Sequence, residues 1–205
     1  MMFRKSFEVY NKFEGGGLMV ESTQKQRVAG EAFDRRWHLA TTEHEVNLTE
    51  LEFALMRVRE SFDRWQGECF AAVSGLSLSG VENALLHLVR LHERPKPLKD
   101  LLRLANRDDV PNIQYALRKL ARLGLIRQGG GRGNAVYVLT PLGTELTDRY
   151  AELRQRLLVE STQVVTGVDQ RMQEAAQMLN LLSGMYEQAA RVAATHQRGT
   201  APEPD

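Results

Sequence analysis

The chain has 205 residues, of which 42% are hydrophobic and 26% charged, with a formal net charge of +1. That length and balance suit one globular domain with appendages. No apolar run is long enough to span a bilayer, no apolar segment of signal-peptide type follows the basic start MMFRKS, and the single Cys69 has no internal disulfide partner. A reducing, cytoplasmic setting is therefore expected.

The charge is unevenly placed. Residues 76–140 hold eleven Lys/Arg against five Asp/Glu, a local +6, while the rest of the chain carries 16 basic and 21 acidic residues, or −5. A basic middle between acidic flanks suits a polyanion-binding module, although a solvated basic surface gives the same count.

Residues 1–46 are polar, with GGG at 15–17 and only Phe3, Phe7 and Tyr10 at helical spacing. They are expected to form a flexible or partner-dependent arm. TEHE at 42–45 is a polar loop or a helix start. From 47 to 74 the pattern predicts one long helix. Asn47 with Glu50, and Thr49 with Glu52, are overlapping start signals. Leu48, Leu51, Leu55, Val58, Phe62, Trp65, Cys69 and Ala72 recur at three- and four-residue steps, a heptad seam for packing on other helices.

GLSLSG at 75–80 is out of register for the G-x-S-x-G elbow of a hydrolase, and no strand precedes it. A capping box explains it better, with Ser79 at the cap and Glu82 three residues on, opening the short helix VENALLHLVRLH. PKPL breaks that helix and LKDLLRLAN forms a second. Asp108 or Asp109 can cap a third, with Pro111 in its first turn and Gly124 at its end. Ile113, Ala116, Leu117, Leu120 and Leu123 form its buried face. Asn112, Gln114, Tyr115, Arg118, Lys119 and Arg122 form its outer face.

The stretch GLIRQGGGRGNAVYVLT, 124–140, decides between two readings. A phosphate loop needs glycines followed at once by a helix, and here they are followed by the β-formers AVYVL, with no G-K-[ST]. Three helices, a strand LIRQ, a glycine-rich turn and a second strand make instead a helix-turn-helix with a β-hairpin, a winged helix. Thr140-Pro141 then opens a long helix to about Thr162. Beyond Gly167 a second seam runs through Val168, Met172, Ala175, Leu179, Leu182, Tyr186 and Ala189. The tail, 197–205, reads as disordered. VESTQ occurs at 20–24 and at 159–163 with unmatched flanks, which is coincidence rather than duplication.

NIQYALRKLARLGLIR and VYVLTPLGTEL, the latter with an L-T-x-x-G helix entry at 139–143, resemble the MarR family of bacterial transcription regulators. The resemblance runs from about Asn47 to His196. It departs from the family in the wing, where GGGRGN stands in place of D-x-R-D-x-R, and in the longer N-terminal arm, which points to a divergent subgroup. It implies a mainly α fold with a small β-hairpin wing: a winged helix-turn-helix lobe (75–140) on a dimerisation base built from 47–74 and 141–196. It also implies a homodimeric repressor or activator on double-stranded DNA, and release or modulation by a small effector.

Asn112, Gln114, Tyr115, Arg118 and Lys119 are the readout candidates. Asn and Gln bond adenine and Arg bonds guanine, and Arg118 and Lys119 are expected to split between base and phosphate. In the wing, Arg132 suits a minor groove or a phosphate, with Arg127 and Asn134 as weaker backbone contacts. Phe62, Trp65 and His87 could line a pocket for an aromatic or lipophilic effector, though aromatics at that spacing more often form a core. Cys69 on its seam reads as a small buried apolar residue, and Glu68 beside it would not activate a thiol. No histidine or cysteine spacing suits a metal, no nucleophile–base pair or carboxylate dyad can be picked out, and neither a cofactor nor enzymatic activity is expected. The competing reading is a winged-helix interaction module whose basic face docks an acidic protein.

Overall fold

The computed structural model describes residues 38–131 and 135–197. The chain divides into two units, the first ending at Asp63 and the second starting at Arg64. The expected arm as far as residue 37, the wing tip at 132–134 and the tail from 198 lie outside the described residues.

The helix α1 (Glu43–Ser74), which starts in the first unit and ends in the second, begins one turn before the Asn47 signal. The reason is local: the Glu45 carboxylate accepts from Thr41 N and Oγ1, both at 2.7 Å, and from Thr42 N at 2.9 Å, while Glu45 N donates to Thr42 Oγ1. These bonds, the Thr41 hydroxyl foremost, hold the Glu45 carboxyl at about 2. TEHE is thus a helix start, a capping box satisfying the first free amides. Met56, Val58 and Phe62 of the first unit are more than half exposed.

The second unit holds the other elements. Ser79 caps α2 (Gly80–Arg90) through the full Ser79–Glu82 capping box. A 3-10 turn, Leu91–Glu93, puts His92 and Glu93 at positive φ and leads into β1 (Lys96–Pro97). The sequence marked PKPL only as a break. Its two residues pair antiparallel with β3 (Val136–Leu139), which also pairs with β2 (Ile126–Gly129), giving the sheet order β1-β3-β2. Lys96 is buried, and its ammonium donates to the carbonyls of Val89, Leu91 and Arg94. A cation thus closes the C-terminal end of α2, where carbonyls lack helical partners.

After α3 (Leu98–Leu104), Asp109 caps α4 (Val110–Arg122), accepting from Asn112 N. Gly124, at φ +72°, ends α4. Gly124 N reaches Ala121 O and Leu125 N reaches Leu120 O, each at 3.0 Å, the two bonds of a Schellman motif. Thr140 caps α5 (Pro141–Arg154) by accepting from Gly143 N at 3.0 Å, and its N–H and hydroxyl donate to Leu125 O. A β-carbon on Gly143 would lie 2.0 Å from Leu125 O. The glycine of LTPLG is therefore needed for the close approach of α5 to the start of β2. A π turn (Gln155–Val159), α6 (Glu160–Gln163) and α7 (Val168–Gln197) complete the unit.

The core joins Cys69 and Phe70 to Leu85, Leu86, Leu101, Ile113, Leu117, Leu120, Leu125, Leu146 and Tyr150. Each helix of the lobe thus spends its apolar stripe on one cluster, leaving its polar side outward.

Candidate nucleic-acid interface

The α4 helix fixes the polarity of the lobe. Ile113, Ala116, Leu117 and Leu120 are buried, so the helical period turns Asn112, Tyr115, Arg118 and Arg122 outward. Gln114 is half-buried. The amide of Asn112 also donates to Asp109 Oδ2, and this bond, ahead of the Arg107 guanidinium 3.3 Å away, lowers the Asp109 pKa. The N-terminus of α4 is thereby pinned by side chains at the site where Asn112 emerges.

Lys119 has a different place. Its ammonium lies 2.7 Å from Oε2 of Glu82, whose side chain is only 7% exposed. The same oxygen accepts from Ser79 N at 2.8 Å. One carboxylate therefore caps α2 and fastens α4 to it, and Lys119 is engaged inside the lobe. Other cations of the lobe are also neutralised: Arg90 by Asp148 at 2.5 Å, Arg103 by Asp100 at 3.7 Å and Arg107 by Asp109. Arg118, Arg122 and Arg127 have no acidic partner within salt-bridge distance among the described residues.

Strand register sorts the wing. Arg127 pairs with Val138 and Gln128 with Tyr137, so adjacent pairs point to opposite faces of the hairpin. Gln128 and Tyr137 line a cleft of about 470 Å³ together with Tyr115, Arg118 and Arg122 of α4. Arg127, exposed, belongs to the opposite face. Arg132 and Asn134 fall outside the described residues. Gln128 has no motif to mark it in the sequence, but alternation from Ile126 along the strand puts it on the side that faces α4. Arg122, on the predicted outer face of α4, follows Arg118 by one helical turn.

The three aromatic candidates part company. Phe62 belongs to the first unit and is half exposed. Trp65 packs against the core of the second, and the His87 ring centroid lies 4.6 Å from that of Tyr150. Burial, followed by the charges of Arg90 and Arg154, keeps the His87 imidazole below its ordinary value. Burial pushes the Cys69 thiol up, the opposite of what a reactive thiolate needs. No cluster of metal-ligating side chains occurs among the described residues, and no described helix is long and apolar enough to cross a membrane.

Residues 78–143 match the family model of the winged helix DNA-binding domain. Among curated proteins none matches the sequence. Among solved structures, a MarR family transcription regulator is 16% identical with a TM-score of 0.58, covering 72% of this chain and 96% of its own. The S. aureus MepR–DNA complex is 14% identical with a TM-score of 0.54, over 65% and 96%. BldR from Sulfolobus solfataricus is 17% identical with a TM-score of 0.54, over 68% and 99%. At these identities the likeness is one of fold.

Proposed function

We propose that this chain, a winged-helix protein with the fold of the MarR-family regulators, is a homodimeric transcription regulator that binds double-stranded DNA in sequence-specific fashion. The observation that carries the reading is the exposed polar face of α4, with Arg118 and Arg122 beyond salt-bridge distance of any acid among the described residues, inside a matched DNA-binding domain. A helix of that width fits the major groove, and its Asn, Gln and Arg side chains have the donors and acceptors that distinguish base pairs there. Arg127, Arg132 and Asn134 belong to the wing and would serve the flanking backbone.

The second copy answers to a separate observation. On α7, Met178, Leu181, Met185 and Val192 are each about half exposed in the single chain, and their spacing of three, four and seven residues sets them on one side of the helix. An apolar stripe of this kind on a 30-residue helix suits a partner helix rather than water. A two-fold dimer would set two α4 helices on half-sites about 10 bp apart, a pseudo-palindrome. A small aromatic or lipophilic effector is part of the same reading, with Trp65 and His87 as the residues to watch by tryptophan fluorescence.

Selection of random duplexes on the purified chain, followed by titration against salt, tests this function. An enriched inverted repeat bound at least about a thousandfold tighter than random DNA supports it. No enrichment overturns sequence-specific recognition and turns attention to an acidic protein as the ligand of the basic face.

A further inference from the structure

We infer that Asp109, braced by Arg107, is a positioning residue that turns the amide oxygen of Asn112 outward, so that Asn112 accepts from the exocyclic amine of a base. The assignment rests on the DNA-binding reading above and names what one of its readout residues selects.

Both oxygens of the Asp109 side chain are engaged. Oδ1 accepts from Asn112 N at 3.4 Å, the helix cap, while Oδ2 accepts from the side-chain nitrogen of Asn112 and from Arg107 at 3.3 Å. Arg107 is itself held: its N–H donates to Leu102 O at 2.9 Å, just after Asn106 turns the chain at φ +50°. The Asn112 bond, ahead of the Arg107 charge, lowers the Asp109 pKa, so at neutral pH the carboxyl is ionised and can only accept. The end of the Asn112 amide that meets it is therefore the nitrogen. The oxygen is left as the leading end of an exposed side chain, and no donor among the described residues reaches it.

An outward acceptor narrows what Asn112 can meet. The phosphates and deoxyribose of DNA present acceptors to a protein, and Asp108, exposed beside the cap, further disfavours a phosphate at this end of α4. The donors on a duplex are the exocyclic amines at the base edges. In the groove wide enough for a helix these are N6 of adenine and N4 of cytosine, whereas guanine and thymine present the acceptors O6 and O4. Asn112 should thus favour A or C over G or T on the strand it meets. An unbraced amide could turn over and serve either kind of base. The fixed carboxylate removes that choice.

The test is selection of random duplexes on the full-length parent, Asn112→Ala, Asp109→Asn and the double variant. At one position of the parent's site, A or C should exceed G or T on one strand by about fivefold, the size of one net hydrogen bond. Asn112→Ala should level that position and no other. Asparagine at 109 still caps a helix but can meet Asn112 with either end of its own amide. Asp109→Asn should therefore cut the preference to within about twofold at that position alone, and add nothing there in the Asn112→Ala background. An amine preference that survives Asp109→Asn, or a loss spread evenly over the site, overturns the positioning role. A preference for G or T that disappears with Asn112 overturns the polarity. Both results leave DNA binding in place. A parent that enriches no sequence overturns the recognition reading and the assignment with it. In the free protein, the side-chain amide resonance of Asn112 should move as Asp109 titrates, below the usual carboxylate range; a resonance that stays still removes the bond itself.

Discussion

Lys119→Met removes the ammonium that lies 2.7 Å from Glu82 and keeps most of the side-chain stem. Breaking a fully buried ion pair on one side costs about 3–5 kcal/mol, because the remaining charge is left in a poor solvent. Two features reduce that figure here. The Lys119 side chain is 32% exposed, so water can enter where it lay, and the Glu82 carboxylate keeps its bond from Ser79 N. The expected loss is about 2 kcal/mol, a fall in midpoint of roughly 4–8 °C for a protein of this size. Glu82→Gln keeps an acceptor at the third helical position, which a capping box tolerates, and leaves a lysine able to reach water. It should cost about 1 kcal/mol. Urea unfolding of both single variants and the double variant gives the coupling, expected to be about 1 kcal/mol. Additivity within about 0.3 kcal/mol would refute the fastening of α2 to α4 by this pair. The same Lys119→Met protein should keep the parental salt slope in DNA binding. A flatter slope would return Lys119 to the phosphate contacts.

Gly143→Ala should destabilise the lobe by at least about 2 kcal/mol, since its β-carbon would collide with the carbonyl of Leu125; a parental midpoint in thermal unfolding would refute the close approach. His87 should make stability pH-dependent on the acid side. Its folded pKa lies below its unfolded value near 6.5, so the unfolded chain takes the proton first. Stability from this group is full above about 6.5 and declines as the pH falls towards the folded value. His87→Phe keeps a ring against Tyr150 and should flatten that decline in denaturant midpoints measured across the acid range; an identical acid limb would refute it. Cys69, 2% exposed with its thiol pKa raised by burial, should react with an aromatic disulfide reagent only as fast as the lobe opens. Rapid labelling of the native protein at neutral pH would contradict that placement.

Much of the architecture is readable in the chain because its signals are short-range. Ser79 with Glu82, Asp109 with Pro111, Gly124, and Thr140 with Pro141 each act within a few residues, and each marks a helix end that the fold contains. The hairpin is also legible, since its two strands flank one glycine-rich turn. The start of α1 shows the limit of such reading: three capping boxes overlap between Thr42 and Glu52, and the bonding of Thr41 and Thr42 to Glu45 selects the first.

Where each charge is spent was decided by packing alone. Glu82 and Lys119 are 37 positions apart and meet because α2 and α4 bury their apolar stripes against the same core. In the sequence Lys119 looks no different from Arg118, its neighbour. One residue of helical rotation, about 100°, turns the first to a carboxylate and the second to solvent. Lys96 stands in a stretch that reads as a break, yet it becomes a strand residue whose ammonium closes a helix end. Composition determined that the lobe is basic; the tertiary structure determined which cations remain free, because a carboxylate neutralises only what the fold brings within a few ångströms of it.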